Sequence, residues 1–150
     1  MTQFSSANLR GLRVERGNET DLLMFRLGDT GAAISHNGFT TDALVLTVTE
    51  TAAGLQMLGA QSVRSVRSVN RNIFASNVLA NVAVRFRADQ IDFSCQVNAD
   101  AKITLFTGKA PDRVLVDELQ LKQNAFSFDE RTKLLSLRIP AGRHEVKILF

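Results

Sequence analysis

From Ala125 to Phe150 the chain reads AFSFDERTKLLSLRIPAGRHEVKILF, and apolar and polar residues alternate along it. Phe126 and Phe128 flank Ser127. Leu135, Leu137 and Ile139 flank Ser136 and Arg138. Val146, Ile148 and Phe150 close the run. A period of two over three consecutive segments puts one face of each in a core and the other in water, as half-buried antiparallel strands require. Asp129-Glu130-Arg131-Thr132 and Pro140-Ala141-Gly142 supply turn chemistry between the segments. The pattern therefore predicts three strands joined by two tight turns.

Similar alternation recurs upstream. Strands are predicted over Leu12–Glu15, Asp21–Leu27, Ala32–Ser35, Asp42–Glu50 and Leu55–Leu58. Others are predicted around Val63 and Ile73-Phe74, then over Val78–Arg87, Gln90–Val97, Ala101–Thr107 and Arg113–Val116. Gly28-Asp29-Thr30-Gly31 and His36-Asn37-Gly38 read as turns, and Gly54 and Gly59 as strand ends. About a dozen short strands at this spacing imply an all-β fold, an antiparallel two-sheet β-sandwich, with residues 1–150 as a single domain. Pro111 and Pro140 fall in loops, where a residue without an N–H belongs. Gln61–Phe74 is ambiguous, because Val63, Val66 and Val69 are three apart and Val66, Val69 and Ile73 also fit one helical face. Its Ser, Val and Asn content favours strand, with Asn70-Arg71-Asn72 as a hairpin turn.

Composition limits what such a sandwich can do. Hydrophobic residues make up 45% of the chain, enough for a core, and there are 10 Phe but no Trp or Tyr. Trp and Tyr combine a flat face with a polar tip and usually form sugar-stacking surfaces and interface hot spots. Here any aromatic platform has to use an exposed Phe. A net charge of +3 falls short of the dense basic stripe a nucleic-acid binder carries. The single Cys95 excludes an intrachain disulfide. Met1 to Arg10 is polar, so no secretory signal is expected. No run approaches the ~18 apolar residues of a membrane-spanning helix, so no membrane partner is expected.

Chemistry-bearing residues are sparse. His36 and His144 lack the paired spacing of a metal site, so no metal and no cofactor are expected. Whether His36 converges with Asp42 is open at this level. Cys95 shares a face with Phe93 and Val97 and reads as a buried thiol. Asp117-Glu118 and Asp129-Glu130 are adjacent pairs, which point to opposite faces of a strand and make no paired-carboxylate site. No catalytic constellation emerges. The most suggestive polar feature is basic: Arg64, Arg67, Arg71, Arg85 and Arg87. Gathered on one sheet face, five guanidiniums would take sulfate, carboxylate or phosphate bidentately. The competing reading is a solvated outer face with arginines on alternate positions.

The tail also carries a family resemblance. Ser127-Phe128-Asp129-Glu130, Leu134 to Leu137 and Ile139-Pro140-Ala141-Gly142-Arg143-His144-Glu145-Val146-Lys147-Ile148 resemble the closing strands of β-sandwich domains in polysaccharide-degrading enzymes. Thr41 to Leu46, followed by Ser68 to Ser76, is similar to the C-terminal β-sandwich of heparinase II/III-like polysaccharide lyases. The resemblance spans Phe39 to Phe150. In such enzymes the catalytic His, Tyr and Arg come mostly from a helical toroid and an adjoining sheet. The resemblance therefore implies a non-catalytic accessory module, with an anionic polysaccharide or a catalytic domain as partner. It carries over no catalytic residue. It also implies an extracellular or periplasmic setting if the chain is part of such an enzyme. The alternative is a self-contained sandwich that assembles with other proteins, or with its own copies, through a sheet face or edge strand and takes no sugar.

Overall fold

The structure is a computed structural model and describes residues 1–28, 32–69 and 71–150. Among the described residues there are fifteen strands and one 3₁₀ turn at Gln123–Ala125. The strands are β1 (Thr2–Ser6), β2 (Leu9–Arg16), β3 (Glu19–Arg26), β4 (Ile34–His36), β5 (Phe39–Thr41), β6 (Val45–Thr51), β7 (Gly54–Ser68) and β8 (Arg71–Phe86). They continue as β9 (Gln90–Val97), β10 (Ala101–Phe106), β11 (Arg113–Val116), β12 (Leu119–Gln120), β13 (Phe126–Asp129), β14 (Leu134–Ile139) and β15 (Gly142–Leu149). The protein is all-β, and every pairing is antiparallel.

The long β7–β8 hairpin organises the sheet. Its open end, Gly54–Gln61 with Ala80–Phe86, pairs with β6 on one side and β9 on the other. This arm runs β1-β2-β3-β6-β7-β8-β9-β15-β11-β12 and does not close on itself among the described residues. Near its tip the same hairpin pairs through β7 with β5 and through β8 with β10, which lead to β4 and to β14-β13. Bulges let one hairpin serve both arms. Its register shifts between Ala60 and Val63, between Val63 and Ser65, and between Val66 and Arg67. An extra residue on one strand bends it and resets which side faces in.

The bulges also explain the ambiguous three-residue spacing. Val63 and Val66 are both fully buried, although a flat strand would point them to opposite faces. The register shift between Val63 and Ser65 takes up the difference. The segment is strand, and Val69 is 79% exposed beyond its end. Arg71 and Asn72 belong to β8 rather than to a turn, while Asn70 lies outside the described residues. Residues 29–31 of the expected Gly28–Gly31 turn also lie outside them. Gly59 sits inside β7, not at a strand end. Strand β1 escapes the alternation rule because an edge strand with a single apolar residue, Phe4, has little to alternate.

One cluster of buried side chains fills the inner side of both arms. Leu46, Leu58 and Phe93 come from the long arm, and Phe74, Ile103 and Leu135 from the short one. Cys95 is in this cluster, as its alternation with Phe93 and Val97 requires.

Candidate functional site

The outward side chains of the long arm follow from its register. One cross-strand row runs Leu12, Leu23, Thr47, Gly59, Ala83, Ser94 and Glu145, one residue from each of β2, β3, β6, β7, β8, β9 and β15. Its middle four members are small. The neighbouring outward row has Arg10, Phe25, Val45 and Gln61, then Asn81, Gln96 and Arg143. The row on the other side has Asp21, Thr49, Met57, Arg85, Asp92 and Lys147. Short side chains between two longer rows make a trough that crosses the strands. Two hollows of about 330 and 340 Å³ meet over Thr47, Gly59, Ala83 and Ser94. From β3 to β15 the trough spans roughly 24 Å at the usual strand spacing.

The two ends differ chemically. At the β3 end, Phe25 is 42% exposed, the one exposed phenylalanine among the described residues, with Leu12 and Leu23 beside it. The middle offers the amides of Gln61, Asn81 and Gln96. The far end is charged: Arg143 pairs with Glu145 at 3.6 Å and Arg87 with Asp92 at 3.3 Å. Gln90 donates to Asp92 at 2.6 Å. Arg85 joins no ion pair among the described residues. Exposed ion pairs contribute only ~0–1 kcal/mol, so these arginines exchange partners at little cost.

The five arginines do not form one surface. Arg85 lines the trough, and Arg87, just past the end of β8, pairs with Asp92 of the flanking row. Arg64 leaves β7 at the bulge and lines a separate cavity with Arg26. Arg67 faces Asn72 and Arg71 faces Ser68, so these two point to opposite sides near the hairpin tip. Arg71 instead covers the Phe106 ring at 4.8 Å. Arg71 and Arg85 are separated by most of β8, roughly 45 Å of extended strand. Nearness in sequence suggested a cluster, but strand length and bulges disperse it.

The other sequence candidates resolve into structural roles. His36 stacks on Phe4 at 3.6 Å, and no hydrogen bond joins it to Asp42 among the described residues. Asp42 Oδ1 accepts from the N–H groups of Arg64 and Ser65 at 2.9 and 2.8 Å, holding the bulge. Asp129 Oδ1 accepts from Arg131 and Thr132, closing the β13–β14 turn, and these bonds hold its carboxyl below the usual range. Asp117 and Glu118 form the β11–β12 turn at φ 50° and 68°. Asp117 accepts from the Glu145 N–H at 2.9 Å and lies 2.7 Å from His144 Nδ1.

The register also sets His144 opposite Cys95. The thiol is not activated by this. Burial, then Glu145 and Asp117, push Cys95 up to about 11, and no hydrogen bond ties its sulfur to His144 among the described residues. No group of three or more His, Cys, Asp or Glu able to hold a metal occurs among the described residues. No helix there is long and apolar enough to cross a membrane.

Sequence reasoning missed the trough, since its floor is built from chemically quiet residues. The available signal was size. Gly59, Ala83 and Ser94 occupy outward positions between buried Leu58 and Ala60, Val82 and Val84, and Phe93 and Cys95. No protein-family model matches the chain, and no curated protein matches it significantly.

Proposed function

We propose that the protein is a non-catalytic accessory β-sandwich module, similar to those of polysaccharide-degrading enzymes, and that it lays a glycan chain across the outer trough. The sandwich reading has the two arms packed face to face. It is supported by the Phe74–Phe93 contact, with ring centroids 6.3 Å apart, and by the Phe4–His36 stack, since each links one arm to the other. The observation that carries the ligand reading is the placement of Phe25, the one exposed Phe, on the face that holds the trough. A pyranose presents an apolar face suited to such a ring. Its hydroxyls suit the amides of Gln61, Asn81 and Gln96, and an acidic sugar's carboxylate or sulfate suits Arg85 and Arg143. The resemblance of the tail to the closing strands of β-sandwich domains in polysaccharide-degrading enzymes points the same way.

The test is affinity electrophoresis in gels containing neutral, uronate or sulfated polysaccharides, at two salt concentrations. Retardation by acidic polymers that weakens with salt is the expected result. Phe25→Ala should weaken it by about 1–2 kcal/mol, roughly 5- to 30-fold. Arg85→Gln should flatten the salt dependence. Equal mobility of wild type and Phe25→Ala in every gel removes this reading.

A second reading rests on β1. Among the described residues it pairs with β2 alone, and its Thr2-Gln3-Phe4-Ser5-Ser6 carries neither charge nor proline to block addition of another strand. On that reading the protein assembles by edge pairing. Light scattering on wild type and Ser5→Pro separates the two: a dimer lost in the variant favours assembly.

A further inference from the structure

Next to the trough, on the other side of the β7 bulge, lies a second cavity of about 520 Å³. Arg26, Asp42, Leu44, Ser62, Arg64 and Leu79 line it. We propose that this cavity binds an aliphatic carboxylate, a small anion with a hydrocarbon tail. The inference is independent of the glycan reading, because none of these residues lies on the trough floor.

The bulge builds the site. Ser62 turns the strand at φ 50°, and its N–H donates to Asn81 Oδ1 at 2.9 Å. Asp42 then fixes Arg64 and Ser65 by accepting from both of their N–H groups through one oxygen. This delivers the Arg64 side chain to the cavity that Arg26 reaches from the end of β3. Two guanidiniums thus face one carboxylate, whose Oδ1 is already engaged by those two backbone donors. Neither guanidinium joins an ion pair among the described residues. A planar fork with unspent donors is matched by a carboxylate, which accepts two parallel bonds.

The apolar half of the ligand follows from the rim. Leu44 and Leu79 are 43% and 49% exposed, and both border this one cavity. Leucines that face water beside a cationic cavity suit a ligand whose charged end is followed by a hydrocarbon. Sulfate or phosphate alone would leave them wet.

The test uses the full chain with methyl and amide NMR, titrating octanoate, octanamide and acetate in parallel. Octanoate should shift the Leu44 and Leu79 methyls together with the Arg64 and Ser65 amides. Octanamide and acetate should each bind about tenfold more weakly or worse, having lost the charge and the tail respectively. Arg64→Gln, at an exposed side chain, should weaken octanoate about tenfold and leave the melting temperature unchanged. Arg26→Lys retains the charge and should lose less than Arg26→Gln. Octanamide binding as tightly as octanoate overturns the anion assignment, and acetate matching octanoate overturns the aliphatic one. No shift at either leucine with octanoate in the millimolar range overturns the site.

Discussion

Gly11 and Gly59 both lie within strands, yet the same substitution should cost far more at the first than at the second. At Gly11 an added Cβ would run into the Phe4 ring and the Leu23 carbonyl oxygen. The carbonyl is backbone in the β2–β3 ladder and cannot swing away. The Phe4 ring is held between Gly11 and His36, on which it stacks. Gly11→Ala therefore has to push Phe4 out. Phe4 is partly buried, so losing its burial costs about 1 kcal/mol, half the value of a fully buried phenylalanine. Losing the ring stack adds about 0.5–1.5 kcal/mol. These two losses come to about 2 kcal/mol, a floor because the Leu23 carbonyl must also give, and they lower the melting temperature by at least roughly 4–8 °C for a chain of this length. At Gly59 the one close atom an added Cβ would meet is the Thr47 hydroxyl, at 2.6 Å, and rotating it away gives up its 3.3 Å bond to the Gly59 carbonyl. The displaced rotamer, about 1 kcal/mol, and this long exposed bond, about 0.5 kcal/mol, are largely offset by the 0.5–1 kcal/mol that alanine gains over glycine in a strand. Gly59→Ala should cost under about 1 kcal/mol. Thermal unfolding by circular dichroism ranks the variants, and amide hydrogen exchange locates the damage. Gly11→Ala should deprotect β1 and leave β7, β8 and β9 protected. Phe4→Ala combined with Gly11→Ala should cost less than the sum of the two. Gly11→Ala melting within about 1 °C of wild type, with β1 still protected, would refute the argument.

Three further outcomes follow from groups in the core and on the outer face. Cys95 is buried with its thiol pushed up to about 11, so a disulfide dye at pH 8 should label it only when the protein opens. Its raised value also means stability declines as pH climbs from the ordinary thiol range toward about 11, and labelling at the rate of a free thiol would contradict both statements. The Asp117 carboxyl is held below its ordinary value, first by the Glu145 N–H and then by His144. Its stabilisation is complete above the ordinary carboxylate range and is lost as pH falls through the lowered value. Asp117→Asn, which tolerates φ 50°, should reduce the drop in urea midpoint between pH 6 and pH 3, and an unchanged drop would count against the contact. Ala83→Val should raise stability by a few tenths of a kcal/mol, as β-branched residues do in strands, while reducing retention in acidic-polysaccharide gels. Undiminished retention would separate Ala83 from any binding role.

Where a strand kept one register along its length, its own sequence was enough. The alternation in Gln90–Val97 matches β9 from end to end, and the tail resolves into β13, β14 and β15 with their turns in place. Local alternation failed where neighbours, not the strand itself, set the geometry. β12 is two residues long and has no period to detect. Leu55–Leu58 and the Val63 region looked like separate strands because the bulge at Ser62 breaks the phase, yet they form one strand, β7. Ile73-Phe74 and Val78–Arg87 merge into β8 for a related reason. The same phase breaks scattered the arginines: Arg67 and Arg71 can only be placed relative to one another once Arg67↔Asn72 and Ser68↔Arg71 are known.

The trough follows from that same cross-strand register. Gly59, Ala83 and Ser94 come from three strands, and nothing within any one of them says that they align. Once aligned, their smallness acquires meaning. Outward positions on a central strand normally favour β-branched or long side chains that cover the backbone ladder and pack against cross-strand partners. Three adjacent strands that forgo this cover at the same level give up stability together, and Gly59 adds the entropy of a residue with no side chain. A simple solvated face gains nothing from that loss, since threonine or lysine there would serve solubility as well. A face that must admit another molecule does gain, because the ligand supplies the missing cover. The long Gln61, Gln96, Arg85 and Arg143 along the two sides fit the same logic, since they place their polar ends where a molecule lying over the short residues would need partners. Register, and not any loud residue, is thus what turns three ordinary outward positions into the trough on which the proposed glycan reading rests.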